Sequence, residues 1–246
     1  MDTNITEIEK YSRWRAVQIR ITFFSDKIEE SAVSKWWEAV IGEPSEQKSI
    51  LPKQNLYQEQ GNYCKGRLVL SVHLNKVDWL YIPIEGEFYI DSFLDSQEVF
   101  SELMPKLYKT FPPINRFAVG YILQVPVNSR KEGYEFLAEL LPSVKIDVDK
   151  SSDFMYQINR PRNTTTGIAN LSINRLMKWS VGVVKRFALS SGGFEFSNPE
   201  NSFSRLELDL NTSTEYAGAL PQDKISSIYF ECVGLAKEIM INGDIA

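Results

Sequence analysis

The order in which the apolar period changes along this 246-residue chain constrains its fold more than any single motif. From Arg15, Val17, Ile19, Ile21 and Phe23 alternate with Gln18, Arg20 and Thr22, the period of two of a strand with one buried face. Val33, Trp36, Trp37, Val40 and Ile41 then recur at helical spacing, with Gly42 and Pro44 as the stop. Residues 43–61 are rich in Pro, Gln, Ser and Lys without periodicity and predict a loop, whereas residues 67–74 and 79–84 return to a strand pattern. Asp95 with Glu98 reads as a helix start ahead of Val99, Phe100, Leu103, Leu107 and Tyr108. Pro105 should kink or end that helix, and Pro112 with Pro113 closes it.

Residues 117–127 form a buried strand candidate. Ser129 and Glu132 make a capping-box pattern before Tyr134, Leu137, Leu140 and Leu141, and Pro142 ends the helix they start. Residues 154–160, 171–188 and 203–210 read as strands joined by the turn-rich stretches 163–167 and 190–199. Pro221 opens a last helix with one apolar stripe, Ile225, Ile228, Cys232, Leu235, Ala236 and Ile239, and Gly243 stands beyond it.

Strand, helix, several strands, helix, then the same series again, is not the regular alternation of a parallel doubly wound sheet. It predicts an α+β fold, a mostly antiparallel sheet covered by helices. The chain is expected to form a single compact α+β unit over residues 1–246; internal halves at 11–146 and 154–243 fit the order, but no identity between them establishes a duplication. A hydrophobic content of 43% with 12% aromatic residues is ample for a core.

Composition excludes several classes. A net charge of −5 argues against a general nucleic-acid coat protein, so any polyanion contact is expected to be local. Cys64 and Cys232 have neither disulfide-framework nor zinc spacing, and a reducing cytoplasm is the expected location. Asp2, Glu7 and Glu9 ahead of Lys10 are unlike the basic start of an export signal. The most apolar run, residues 117–127, contains Gln124 and Pro126 and falls well short of the roughly 20 residues a membrane helix needs, so no membrane association is expected.

Against this acidic background, the stretch between Asp153 and Glu195 has no carboxylate but carries Arg160, Arg162, Arg175, Lys178, Lys185 and Arg186, with Tyr156, Trp179 and Phe187 among them. Such a window attracts anions. Ile-Asn-Arg occurs three times, ending at Arg116, Arg160 and Arg175, and on a strand the Ile and Arg share a face. Guanidinium groups gathered at the end of a sheet would suit phosphate or carboxylate, and Trp179 or Tyr156 could stack on a base. The alternative is that these arginines pair with carboxylates elsewhere in the chain. The candidate binding residues are Arg160, Arg162, Arg175, Lys178, Trp179, Lys185 and Arg186, and the expected partner is an acidic protein or a nucleic acid.

Other constellations carry less chemistry. Glu207 and Asp209 alternate with Leu206, Leu208 and Leu210 and share a face with Arg205, so the pair could hold Mg²⁺. A nuclease-like site would also want a third oxygen ligand and a nearby Lys or His, no local Glu-x-Lys pattern or histidine accompanies the pair, and a solvated strand face paired with the basic segment is the competing reading. His73, the sole histidine, lies in an apolar strand run, and no nucleophile motif accompanies it. Asp147, Asp149 and Asp153 lack the Gly and terminal Glu of a calcium loop, and Gly192–Gly193 is read as a hairpin turn rather than a phosphate loop. Trp36 and Trp37 are expected to anchor a helix to the sheet. No cofactor and no catalytic residue are assigned.

The stretch Gln157-Ile158-Asn159-Arg160-Pro161-Arg162, then Ser172-Ile173-Asn174-Arg175-Leu176 with Lys178-Trp179-Ser180, and Leu206-Glu207-Leu208-Asp209-Leu210-Asn211-Thr212 resembles the C-terminal half of sporadically distributed, uncharacterised bacterial proteins. The ending Glu238-Ile239 with Gly243-Asp244 is similar to theirs too. The resemblance covers the last third of the chain and implies a bacterial protein, carried on a mobile element or within an antiphage defence module. The expected function is that of a non-catalytic binding or adaptor protein that presents a basic sheet face to a phosphate-rich ligand or an acidic partner protein. The rivals are a metal-dependent nuclease or phosphodiesterase using Glu207 and Asp209, and a structural subunit of a larger complex.

Overall fold

A computed structural model describes residues 11–190 and 193–244, and the side chains of all of these except Glu30 and residues 184–201. The elements run β1 (Arg15–Phe24), α1 (Trp36–Ile41), β2 (Gln47–Leu51), β3 (Leu56–Tyr63), β4 (Gly66–His73) and β5 (Lys76–Pro83). After these come α2 (Phe93–Thr110), β6 (Arg116–Val127), α3 (Arg130–Leu140), β7 (Met155–Asn159) and β8 (Arg162–Asn163). The chain ends with β9 (Ser172–Ser190), β10 (Gly193–Thr212) and α4 (Ile225–Asn242). The fold is α+β: one antiparallel sheet in the order β2-β3-β4-β5-β1-β6-β10-β9-β7, with β8 paired to β9. The N-terminal strands fill one side of the β1–β6 seam and the C-terminal strands the other. From the seam outward, β1, β5, β4, β3 on one side repeat the pattern of β6, β10, β9, β7 on the other.

Alternation explains how the layers separate. Ile19, Ile21 and Phe23 of β1 lie on one face with Phe117, Val119, Tyr121 and Leu123 of β6 and Leu206, Leu208 and Leu210 of β10, and all are buried. The helices pack on this face. Trp37 of α1 stacks on Trp79 of β5 at 5.8 Å, which is the anchoring role expected of the Trp36–Trp37 pair. Gly133 of α3 packs so closely on Val181 of β9 that an added Cβ would lie 2.9 Å from it. Trp14 ties three elements together: its ring meets Trp179 at 6.2 Å and Phe136 at 5.6 Å, and its indole N–H donates to the carbonyl of Met240. The whole stripe expected of α4, from Ile225 to Ile239, is buried, and each large apolar side chain removed from water contributes about 1.5–3 kcal/mol.

Four local expectations need correction. The stretch 43–61 is not a loop but contains β2 and β3. All five residues of β2 are exposed, so neither face has a reason to be apolar and no alternation marks it. The helix expected at Asp95 is capped by Ser92, whose hydroxyl accepts the Asp95 backbone N–H while donating to the Asp95 carboxylate. Pro105 does not end that helix, which continues to Thr110 because Phe100, Leu103, Met104 and Leu107 are held in the core on both sides of it. Residues 190–199 are largely strand, since β10 begins at Gly193; Gly192 lies outside the described residues. The bulge between Ser197 and Asn201, beside Pro199, is where the alternation is lost. The Ser129 cap appears as expected, with its hydroxyl accepting from the Glu132 N–H.

Candidate functional site

The same alternation decides where each cation goes. Arg175 shares its phase with Ile173, Met177 and Trp179, so it enters the helix-covered face and is only 2% exposed. Its Nε donates to the carbonyl of Arg160, while its Nη1 is buried without a partner. Burial, together with the neighbouring Arg162 and Arg160, moves its pKa down from the ordinary guanidinium value. Trp179 is fully buried in the same layer, so the stacking expected of it has no exposed ring to act through.

Arg160 and Arg162 follow β7 at the sheet edge and clamp the end of α4. Arg160 donates from Nε and Nη2 to the two oxygens of Asp244, each at 2.9 Å, and the Tyr156 hydroxyl donates to the same carboxylate. The Arg160 hydrogen bonds hold the Asp244 carboxyl below the usual carboxylate range, against the opposing effect of burial. Arg162 makes a two-pronged contact with Glu238 at 2.9 and 3.2 Å. Lys178 pairs with Glu207 at 3.3 Å. Lys185 and Arg186 lie on β9 where it pairs with β10 alone, and their side chains are outside the described residues. The basic window is therefore divided between the core, the α4 clamp, the second face of the sheet and the β9–β10 ribbon.

That second face carries no helix among the described residues, and it collects cations from the whole chain. By register it holds Arg15 and Arg20 of β1, Arg67 of β4, Lys76 of β5, Arg116 of β6, Lys178 of β9 and Arg205 of β10. Its strand carboxylates are Asp78, Glu207 and Asp209, and the loop carboxylates Asp91 and Glu46 reach Arg15 and Arg67. Arg20 crosses β6 to reach Asp209 at 3.5 Å, and it can lie flat because Gly120 is beneath it: a Cβ there would sit 3.2 Å from the guanidinium. Arg205 Nε lies 2.9 Å from Glu207, so Glu207 is held by two cations. Arg116 meets the Asn211 side-chain oxygen at 2.8 Å and covers the Phe24 ring. Arg20, Arg67 and Arg116 each keep a buried Nε–H without an acceptor. Gln18, Gln124, Asn174 and Asn211 lie between the charges, and the half-buried Leu80, Ile122 and Leu176 stand singly among them on β5, β6 and β9.

Only Lys178 of this group belonged to the basic window read from sequence. Most of the missed residues had a legible signal, because each stands out of phase with the main apolar series of its own strand; Arg15 is the exception, in phase with Ile19 and Ile21 and turned to this face by the bulge between Ala16 and Gln18. They are scattered from Arg15 to Arg205, so no local count of charge finds them. Glu207 and Asp209 do face one way, as their spacing implies, but both are engaged by cations. Among the described residues no three His, Cys, Asp or Glu side chains form a group able to hold a metal ion. The donor set thus lacks the third ligand a nuclease metal centre would need. His73 lies half-buried on β4. Among the described residues no helix is long and apolar enough to cross a membrane.

Fold and site together define a two-layer α+β protein with one helix-covered face and one open, arginine-rich face. No protein-family model matches the chain, and no curated protein matches it.

Proposed function

We propose that this chain is a non-catalytic binding protein whose open sheet face docks an acidic partner protein. The observation that carries the reading is the surplus of cations on that face, Arg15, Arg20, Arg67, Lys76, Arg116, Lys178 and Arg205 facing Asp78, Glu207, Asp209, Asp91 and Glu46, in a chain whose net charge is −5. Nine strands side by side span roughly 40 Å at about 4.8 Å each, and the central strands run roughly 25 Å, an area on the order of 1,000 Å². That matches the roughly 800 Å² a standard protein interface buries on each partner. Arginine with interleaved amides and single half-buried apolar side chains is also a composition found at such interfaces, where Arg is enriched and Lys depleted. On the resemblance of its last third, the partner would be a product of the same bacterial mobile-element or defence module.

Photo-crosslinking in the native host tests this reading. A crosslinking residue at Gln18 or Asn174 on the open face should trap one acidic protein, resistant to nuclease, whereas one at Glu98 in the helical layer should not. Arg20→Glu with Arg205→Glu should abolish the adduct while leaving the melting temperature within a few degrees. Adducts with nucleic acid alone, equal trapping from both faces, or no adduct would each overturn the proposal.

A further inference from the structure

The C-terminal end of α2, the Pro112–Pro113 segment that follows it and the chain entering α4 enclose a cavity of about 240 Å³. Its floor belongs to the core: Phe23 of β1, Phe111, Ile114, Leu220 and Ile225 are all buried. Its mouth is made by the half-buried Tyr108 and Pro112 and the exposed Pro113 and Gln222. Among the described residues no charged side chain lines it. An apolar cavity of roughly 150 Å³ already stays dry and takes up benzene, so this one has room for a single or fused ring. Its walls are fixed in advance. The Ile114 carbonyl accepts the Leu220 N–H at 2.7 Å and the Pro113 carbonyl accepts the Ser25 hydroxyl at 2.8 Å, which ties the Pro–Pro segment both to the chain ahead of α4 and to the end of β1.

Two observations restrict the ligand. The first is aromatic: Phe111 meets Phe23 at 4.7 Å and Trp36 edge-on at 4.8 Å, and Phe23 meets Phe117 at 5.4 Å. Phe23 and Phe111 are the members of this cluster that line the cavity, and a ring placed there extends the cluster through the ring contacts that aromatic groups favour. The second is polar. Pro112 and Pro113 bring no N–H, the Leu220 N–H is taken by Ile114, and the Gln222 Nε2 donates to the Tyr108 carbonyl at 3.1 Å. That bond spans the mouth and holds the Gln222 amide in place, with its side-chain oxygen left to accept from a ligand. A charged molecule would lose its hydration here and find no countercharge.

From the cavity, its aromatic floor and the Gln222 amide, we infer that this site binds a neutral aromatic molecule of one or two rings with a single N–H or O–H, the class of indole and phenol. The ring lies against Phe23 and Phe111, and its N–H or O–H donates to the Gln222 side-chain oxygen. The cavity lies in the helical layer and uses none of the cations of the open sheet face, so it stands or falls independently of the docking proposal.

Titration of the full chain with indole, followed by calorimetry and by methyl NMR, is the test. Benzoate serves as the charged comparator and N-methylindole as the comparator without a donor. The expected result is saturable binding of one indole per chain, which moves the methyl signals of Ile114, Leu220 and Ile225 and leaves those of Leu80 and Ile122 on the open face in place. Benzoate should not bind, and N-methylindole should bind severalfold more weakly than indole. Leu220→Phe should fill the cavity and abolish binding while the melting temperature stays at or above that of the parent. Should that buried variant fail to fold, Gln222→Ala at the exposed mouth decides: it should weaken indole severalfold and erase its advantage over N-methylindole. Absence of saturable binding, methyl shifts on the open face instead, equal binding of benzoate, or undiminished affinity in a folded variant would each refute the site.

Discussion

Replacing Gly243 with alanine should release the end of α4 from the sheet. Gly243 ends that helix at φ 70° and ψ −140°, with its N–H donating to the Ile239 carbonyl. An L-residue held in such a conformation costs about 1–3 kcal/mol. The greater obstacle is steric: a Cβ on this residue would lie 1.6 Å from the carbonyl oxygen of Leu140, the last residue of α3, and the obstructing atoms are backbone. Relief requires the two chain segments to separate, which breaks the hydrogen bond from the Asp244 N–H to that same carbonyl, a loss of about 0.5–1.5 kcal/mol. Strain and lost bond together predict destabilisation by roughly 2–4 kcal/mol, out of a typical 5–15 kcal/mol for a domain. Gly234, exposed within the same helix and with no heavy atom within 4 Å of where an alanine methyl would stand, is the control. Gly234→Ala should stabilise by about 0.5–1 kcal/mol, because alanine loses less backbone entropy on entering a helix. Urea unfolding followed by circular dichroism measures both. Equal midpoints for Gly243→Ala and the parent chain would refute the contact between the ends of α3 and α4, and destabilisation by Gly234→Ala would refute the account of the helix.

Three further outcomes are expected. Leu235→Asp places a charge in the buried stripe of α4 and should cost roughly 3 kcal/mol or more; a cooperative melt at the parent temperature would show that α4 does not belong to the core. Asp244→Asn should lower stability by about 1–2 kcal/mol at pH 7. Because Arg160 depresses the folded pKa of Asp244, this contribution is present above the ordinary carboxylate pKa and fades as pH falls through the depressed value. Parent and variant urea midpoints should therefore converge in acid, and a constant gap down to about pH 2 would contradict the assignment. Glu207→Gln frees Lys178 and Arg205 on the open face and should change stability by less than about 1 kcal/mol, as for other part-exposed pairs. A loss of several kcal/mol on thermal unfolding would show that this pair is structural.

Much of the architecture was readable from the chain because burial imposes a period wherever it acts on one side of an element. The alternation around Ile19 and Ile21, the stripe from Ile225 to Ile239 and the Ser129 cap are local patterns, and each stands in the structure as the sequence implies. β2 escaped notice because an edge strand exposed on both faces has no burial to write into its sequence. Pro105 does not end its helix, because a proline's local cost is outweighed when core contacts hold the helix on both sides.

The candidate site divides in the same way. Local sequence determines that Arg175 shares a face with Ile173 and Met177, and that Glu207 and Asp209 share one with Arg205. Which of the two faces the helices cover is settled by contacts between residues far apart, such as Trp37 with Trp79 and Gly133 with Val181. Those contacts turn Arg175 inward and leave Arg20 and Arg205 outward. Only the strand order, which sets β1, β6, β10 and β9 side by side, lets Arg20 reach across Gly120 to Asp209 and joins cations from Arg15 to Arg205 into one surface. A period of two specifies that there are two sides, and pairing between distant strands specifies what each side becomes.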